Sequence, residues 1–187
     1  VTRDIVKVPK EFMKLHNEVM ISIDIFFVNK IAFFLLLSRV IYYTGTSHLA
    51  DRKVGTIFKA FKEIFVFYLR RGFRIVDVNA DGEFEPLKPM IEALPSAPTV
   101  NLAAKSEHVA DIERRIRVVK ERARAARSRL PFRRIPELLT IWIVFQSVRM
   151  LNYFPSKGGV SSTLSPTAIM SGEVLDYNRQ LKLQVGQ

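Results

Sequence analysis

Residues 19–38 read VMISIDIFFVNKIAFFLLLS. β-branched, aromatic and leucine side chains fill both halves, and Asn29-Lys30 divides them. The stretch reads as two strands, Val19–Val28 and Ile31–Ser38, joined by a tight hairpin. Val40–Tyr43 reads as a third strand. One residue is out of keeping. Asp24 lies in the middle of the first strand, and a carboxylate in apolar surroundings is costly unless it is paired or bound to metal.

After this meander the period changes. Ile57, Phe58, Phe61, Ile64, Phe65 and Tyr68 recur at helical spacing over Gly55–Arg71, and Gly72 supplies a C-terminal stop. Phe73–Asn79 is a further strand, Leu87–Leu94 a short helix, and Thr99–Leu102 a short strand. Ala110–Leu130 is a long helix with Ile112, Ile116, Val119, Ala123, Ala126 and Leu130 as its apolar stripe. Pro131 and Pro136 break it from a second, mostly apolar helix, Pro136–Tyr153. From Pro155 the chain turns linker-like, PSKGGVSSTLSPTAIMSG. The expected organisation is a lead-in over 1–17, one core domain over 18–155 and a tail over 156–187. The fold class is α/β, a mixed sheet covered by helices.

Composition narrows the function. The 187 residues are 48% hydrophobic, which suits a folded chain. The net charge of +11 and pI near 10.1 point to an anionic partner, nucleic acid first and a membrane surface second. With no cysteine, disulfides and thiolate zinc sites within the chain are excluded. His16, His48 and His108 are scattered without metal-ligand spacing. Two apolar stretches invite a membrane reading. Ile21–Tyr43 is interrupted by Asp24, Lys30 and Arg39, and Leu138–Val148 is bounded by Glu137 and Arg149. A spanning helix needs about 20 apolar residues with few charges, so both are read as core and no membrane partner is expected. No secretory signal is visible, and the chain, running from Val1 to Gln187, reads as a piece of something longer.

The acids repay attention in this frame. Asp81 ends the strand before VNADGEFE, and Glu113 lies in the first turn of the long helix. Carboxylates from three separate elements, if brought together, would repel one another and call for a hard divalent cation. Arg117, Lys120, Arg124 and Arg127 share a helix face with Glu113. Residues 114–134 hold ten Lys or Arg against one acid, Glu121. A carboxylate at the head of a basic stripe suits phosphodiester chemistry. Plainer readings stand beside this one. Asp24 fits a salt-bridged strand residue, Glu113 a first-turn charge that complements the helix dipole, and Asp81-Gly82 a simple turn. The stripe also fits a solvated face or a binding arm without catalysis.

At these residues the chain resembles the integrase core of copia-type retrotransposons, within the DD-E retroviral integrases and transposases. ISIDIFFVN resembles the first-strand motif, with Asp24 as first acid. DVNADGEF is similar to the family's second segment and puts the second acid on Asp81. HVADIERRIRVVKERAR resembles the helix that carries the third acid, Glu113. LLTIWIVFQSVRMLNYFPSK and TLSPTAIMSGEVLDY resemble the elements that follow. The shared order runs over roughly residues 18–178.

The resemblance implies an RNase H-like fold with a mixed five-stranded sheet flanked by helices. It implies metal-dependent DNA 3′-end processing and strand transfer at Asp24, Asp81 and Glu113, with two Mg²⁺ (or Mn²⁺) ions. It implies DNA partners, both element ends and target, held by Arg117, Lys120, Arg124 and Arg127. It further implies a homo-oligomer and an intracellular setting, nucleus and cytoplasm, as part of a retroelement polyprotein. Three other readings remain: a metal-dependent nuclease of the same fold, a catalytically decayed nucleic-acid-binding remnant, and a purely structural core whose basic face docks an acidic partner. The spacing departs from the family. Residues 82–112, 31 in all, separate Asp81 from Glu113, fewer than usual, and AKSEHVADIE replaces a polar loop. Asp77 competes with Asp81 by strand parity, and Glu107 and Asp111 compete with Glu113. Glu83 and Glu85 read as local charges.

Overall fold

The computed structural model describes residues 8, 10–103, 110–132, 134–174 and 176. β1 (Glu18–Val28) and β2 (Ile31–Ser38) pair antiparallel, from Ile21 opposite Ser38 to Val28 opposite Ile31. Asn29 and Lys30 turn the chain between them at φ 51° and 68°, the left-handed pair that a two-residue hairpin demands.

The third strand is not where the sequence places it. Val40–Tyr43 is the turn, and β3 is Thr44–Leu49, antiparallel to β2. Ser38 N donates to Tyr43 O at 3.0 Å, Tyr42 N donates back to Ser38 O at 2.9 Å, and Tyr42 takes φ 61°. The apolar residues of this turn mimic a strand because they are buried: Ile41 is 2% exposed, and the Tyr43 ring meets Phe67 and Tyr68. The true strand, TGTSHL, hides behind small polar residues that suit an edge position.

α2 (Val54–Arg70) then crosses over to β4 (Arg74–Ala80), which lies parallel to β1. A 3-10 turn (Gly82–Leu87) and α3 (Lys88–Glu92) lead to β5 (Thr99–Leu102), parallel to β4. The sheet order is β3-β2-β1-β4-β5, mixed and five-stranded as expected. α4 (Ala110–Ser128) and α5 (Glu137–Asn152) complete the second layer.

Strand alternation sorts side chains to two cores. Ile21, Ile23, Phe34 and Leu36 face α2, meeting Phe61, Phe65 and Tyr68. Phe26, Phe33 and Leu35 face the other way, against Ile112, Ile116 and Val119 of α4 and Val144 and Val148 of α5. Each large apolar side chain so buried contributes about 1.5–3 kcal/mol.

Both ends of the described chain join this core. α1 (Lys10–His16), in the lead-in, packs Phe12 and Met13 against the α2 face. The linker-like stretch holds α6 (Pro166–Ser171). Ser165 Oγ caps it by accepting from Ala168 N at 3.1 Å, and Gly172 closes it at φ 73°. Ile169 and Met170 are buried in the α2-side core. The Ser, Pro and Gly that read as linker are helix caps and turns around a short packed helix. Among the described residues, no helix is long and apolar enough to cross a membrane.

Candidate functional site

Asp24 owes its position to the alternation of β1. Its neighbours Ile23 and Ile25 belong to the α2 side, so Asp24 turns toward α4, opposite Leu35 and two residues before Phe26. Phe26 and Phe33 stack there at 5.4 Å and close the apolar layer. Asp24 is thus half-buried at the margin of that layer. Its Oδ1 accepts from Ile25 N at 2.6 Å. Burial pushes the carboxyl up to about 6, against the opposing Ile25 bond, and the charges of Asp81, Glu83 and Glu113 add to the rise.

Asp81 reaches this face through an irregularity in β4. Val19 lies opposite Ile75, but Met20 lies opposite Asp77, so Val76 is an extra residue. Before it the odd residue Ile75 is buried on the α2 side, and after it the even residues Val78 and Ala80 are. Asp77 and Asn79 consequently share the face of Met20 and Ser22. Asp81 follows β4 with extended backbone, φ −73° and ψ 163°, at the head of the 3-10 turn. Were Val76 a regular member of the alternation, Asp81 would share the α2 side with Ile75.

Glu113 is exposed in the first turn of α4. Its rival Asp111 is engaged elsewhere, 3.5 Å from Arg39 Nε. The other rival, Glu107, and His108 lie outside the described residues, as does most of the AKSEHVADIE segment. Asp24 and Glu113 line one cleft of about 430 Å³ together with Phe26, Phe27, Arg117, Lys120 and Arg124. Asp81 does not line it and acts on Asp24 through its charge. Arg127 lies further along α4, exposed and outside the cleft.

One neighbour, Arg52, escapes a reading of the sequence alone. Glu83 forms an ion pair with Arg52 at 2.5 Å, and the Arg52 guanidinium lies 5.7 Å from the centre of the Phe27 ring at the cleft rim. Arg52 stands in the loop before α2, and no local pattern marks it. Glu85 is exposed. A larger cavity, about 620 Å³, opens near β3, α2 and α5, with Arg71, Arg149, Glu63 and Glu173 among its lining. It contains none of the three acids.

The donor set suits a hard cation: carboxylate oxygens, one of them driven toward its protonated form by burial first and by the charges of its neighbours second. The present arrangement is open. Among the described residues, no three His, Cys, Asp or Glu side chains form a group able to hold a metal ion as they stand.

No family model matches the chain, and no curated protein does. Solved structures do. The catalytic core domain of BIV integrase aligns at 12% identity and TM-score 0.54, covering 81% of this chain and 92% of that one. The HTLV-2 integrase catalytic core domain in complex with magnesium aligns in its dimeric form at 11% identity and TM-score 0.58, covering 81% and 94%. Its trimeric form aligns at 12% identity and TM-score 0.57, covering 83% and 97%. The chain therefore has the RNase H-like architecture of retroviral integrase catalytic cores.

Proposed function

We propose that this chain is the catalytic core of a copia-type retroelement integrase, which trims DNA 3′ ends and joins them to target DNA. The observation that carries the reading is the cleft in which Asp24 and Glu113 meet Arg117, Lys120 and Arg124, with Asp81 acting on Asp24 from the side. An acid pair beside three cations suits a phosphodiester: the cations take the backbone and the carboxylates offer oxygens to a metal.

Asp24, Asp81 and Glu113 would hold two Mg²⁺ or Mn²⁺ ions, which when bound activate a water or 3′-hydroxyl and stabilise the leaving oxygen. The residues of the chain supply the rest. Arg117, Lys120 and Arg124 seat phosphates without reading sequence, and Arg127 extends the basic track along α4. Phe26 and Phe27 form an apolar wall beside Asp24. Arg52 holds Glu83 at the rim and limits the negative charge pressing on Asp24. We take an intracellular setting and homo-oligomeric assembly as part of the reading.

The test is an assay of the protein on a branched DNA that mimics the strand-joined product, with Mn²⁺ or Mg²⁺, beside Asp81→Asn. Metal-dependent resolution that disappears in the variant is the expected result. Cutting without joining on a two-DNA substrate would assign a nuclease of the same fold. DNA binding without turnover would assign a decayed, binding-only core.

A further inference from the structure

α4 carries cations on two flanks, and only one of them faces the acid cleft. Arg115 and Arg122, seven residues apart, lie about half a turn around the helix axis from Glu113, Arg117 and Lys120. With Tyr42, Phe154, Ser156 and Lys157 they line a separate cleft of about 270 Å³. Three cations enter it, and no carboxylate lines it. Among the described residues, no ion pair involves Arg115, Arg122 or Lys157. Neighbouring Arg39, by contrast, is tied to Asp111.

Arg115 is the most committed of the three. It is half-buried, with its guanidinium 5.8 Å from the centre of the Tyr42 ring. Burial makes it a weaker base than usual, the Tyr42 hydroxyl partly offsets this, and the charge of Arg122 adds to it. Two like charges, one of them partly withdrawn from water, are unfavourable until an anion arrives. The guanidinium fork matches phosphate oxygens in pairs. The chain's net charge of +11 favours a polyanion over a small free anion at such a site.

We propose that this cleft is a second nucleic-acid site, in which Arg115, Arg122 and Lys157 seat a backbone phosphate and Ser156 donates a hydroxyl. It is separate from the acid cleft and does not depend on catalysis there. The α4 helix then stands between two nucleic-acid tracks, one on each flank.

The test uses the full chain and a fluorescein-labelled oligodeoxythymidylate, titrated at several KCl concentrations. The double variant Arg122→Glu/Lys157→Glu changes two exposed side chains. It is expected to lose roughly tenfold or more in affinity and about two units of slope in log K against log salt. Lys157→Gln, a milder variant, is expected to lose about one unit. Amide chemical shifts locate the site. Oligonucleotide should move Tyr42, Ser156 and Lys157, and these shifts should persist in Asp24→Asn, whereas shifts at Glu113 and Arg117 report the other cleft. Failure of one cleft is thereby distinguished from failure of the other. Two results would overturn the proposal. One is unchanged affinity and slope in a double variant that unfolds like the wild type. The other is saturation by inorganic phosphate with no displacement by oligonucleotide, which would assign a free-phosphate site.

Discussion

The side-chain amide of Asn152 pairs with both backbone groups of Thr44. Thr44 N donates to Asn152 Oδ1 at 2.9 Å, and Asn152 Nδ2 donates to Thr44 O at 2.8 Å, across 108 positions of sequence. β3 is an edge strand, whose outward groups have no neighbouring strand to meet. The last residue of α5 supplies an amide that copies one. This fixes the end of α5 to the sheet, and α5 packs against α4, which carries Glu113 and the basic stripe.

Asn152→Ala should therefore be costly. It leaves a buried donor and a buried acceptor unpaired, worth about 2–4 kcal/mol together. Urea unfolding reads the loss directly. A loss below about 0.5 kcal/mol would show that water replaces the amide and that the tie is incidental.

Asp24 should make stability depend on pH in an unusual direction for a carboxylate. Its folded pKa of about 6 lies above the ordinary 3.8, so the folded protein holds a proton that the unfolded chain releases. Stability should fall as pH rises from about 4 to about 6 and level off above that window. Asp24→Asn should abolish this slope and stabilise the protein at pH 7 by ~1 kcal/mol, a figure discounted for the solvent the group still sees. Thermal unfolding across the window decides it, and a variant no more stable at pH 7 than at pH 4, relative to wild type, would count against burial as the cause. Mn²⁺ affinity should rise over the same window, as the carboxylate gives up its proton.

Arg117→Ala should weaken DNA binding equally for all sequences and lower the salt slope by about one unit. Arg127→Ala should have a smaller effect, because Arg127 lies outside the cleft. Anisotropy titrations at four or five salt concentrations separate the two. Equal effects would mean that the cleft does not define the DNA path.

Met170→Ala tests whether α6 is part of the folding unit. Met170 is 1% exposed in the α2-side core, and truncating such a residue costs about 2–5 kcal/mol. Unfolding should remain a single transition with a lower midpoint. An unchanged midpoint would return residues after Pro155 to the role of a tail.

Much of this architecture is legible in the chain. The two halves of VMISIDIFFVNKIAFFLLLS, the helical spacing of Ile57, Phe61, Phe65 and Tyr68, and the stripe of Ile112, Ile116 and Val119 all found their elements. The cleft gathers Asp24, Glu113, Arg117, Lys120 and Arg124, whose common placement rests on strand alternation and helix period. β3 and α6 were hidden for a shared reason. Both are short, β3 built of small polar residues and α6 set among Ser, Pro and Gly, and their order comes from what they touch: β2 and Asn152 for β3, the α2-side core for α6.

The sequence by itself determined which residues lie on one side of each element, because adjacent peptide units and the burial of apolar groups impose those periods locally. Only the tertiary structure decided which sides look at each other. The extra residue Val76 shows why. It shifts the register of β4 against β1 by one position and so turns Asp81 toward Asp24. Register is set by hydrogen bonds between strands more than 50 residues apart, as in the pairing of Ser22 with Asn79, and no local period carries that information.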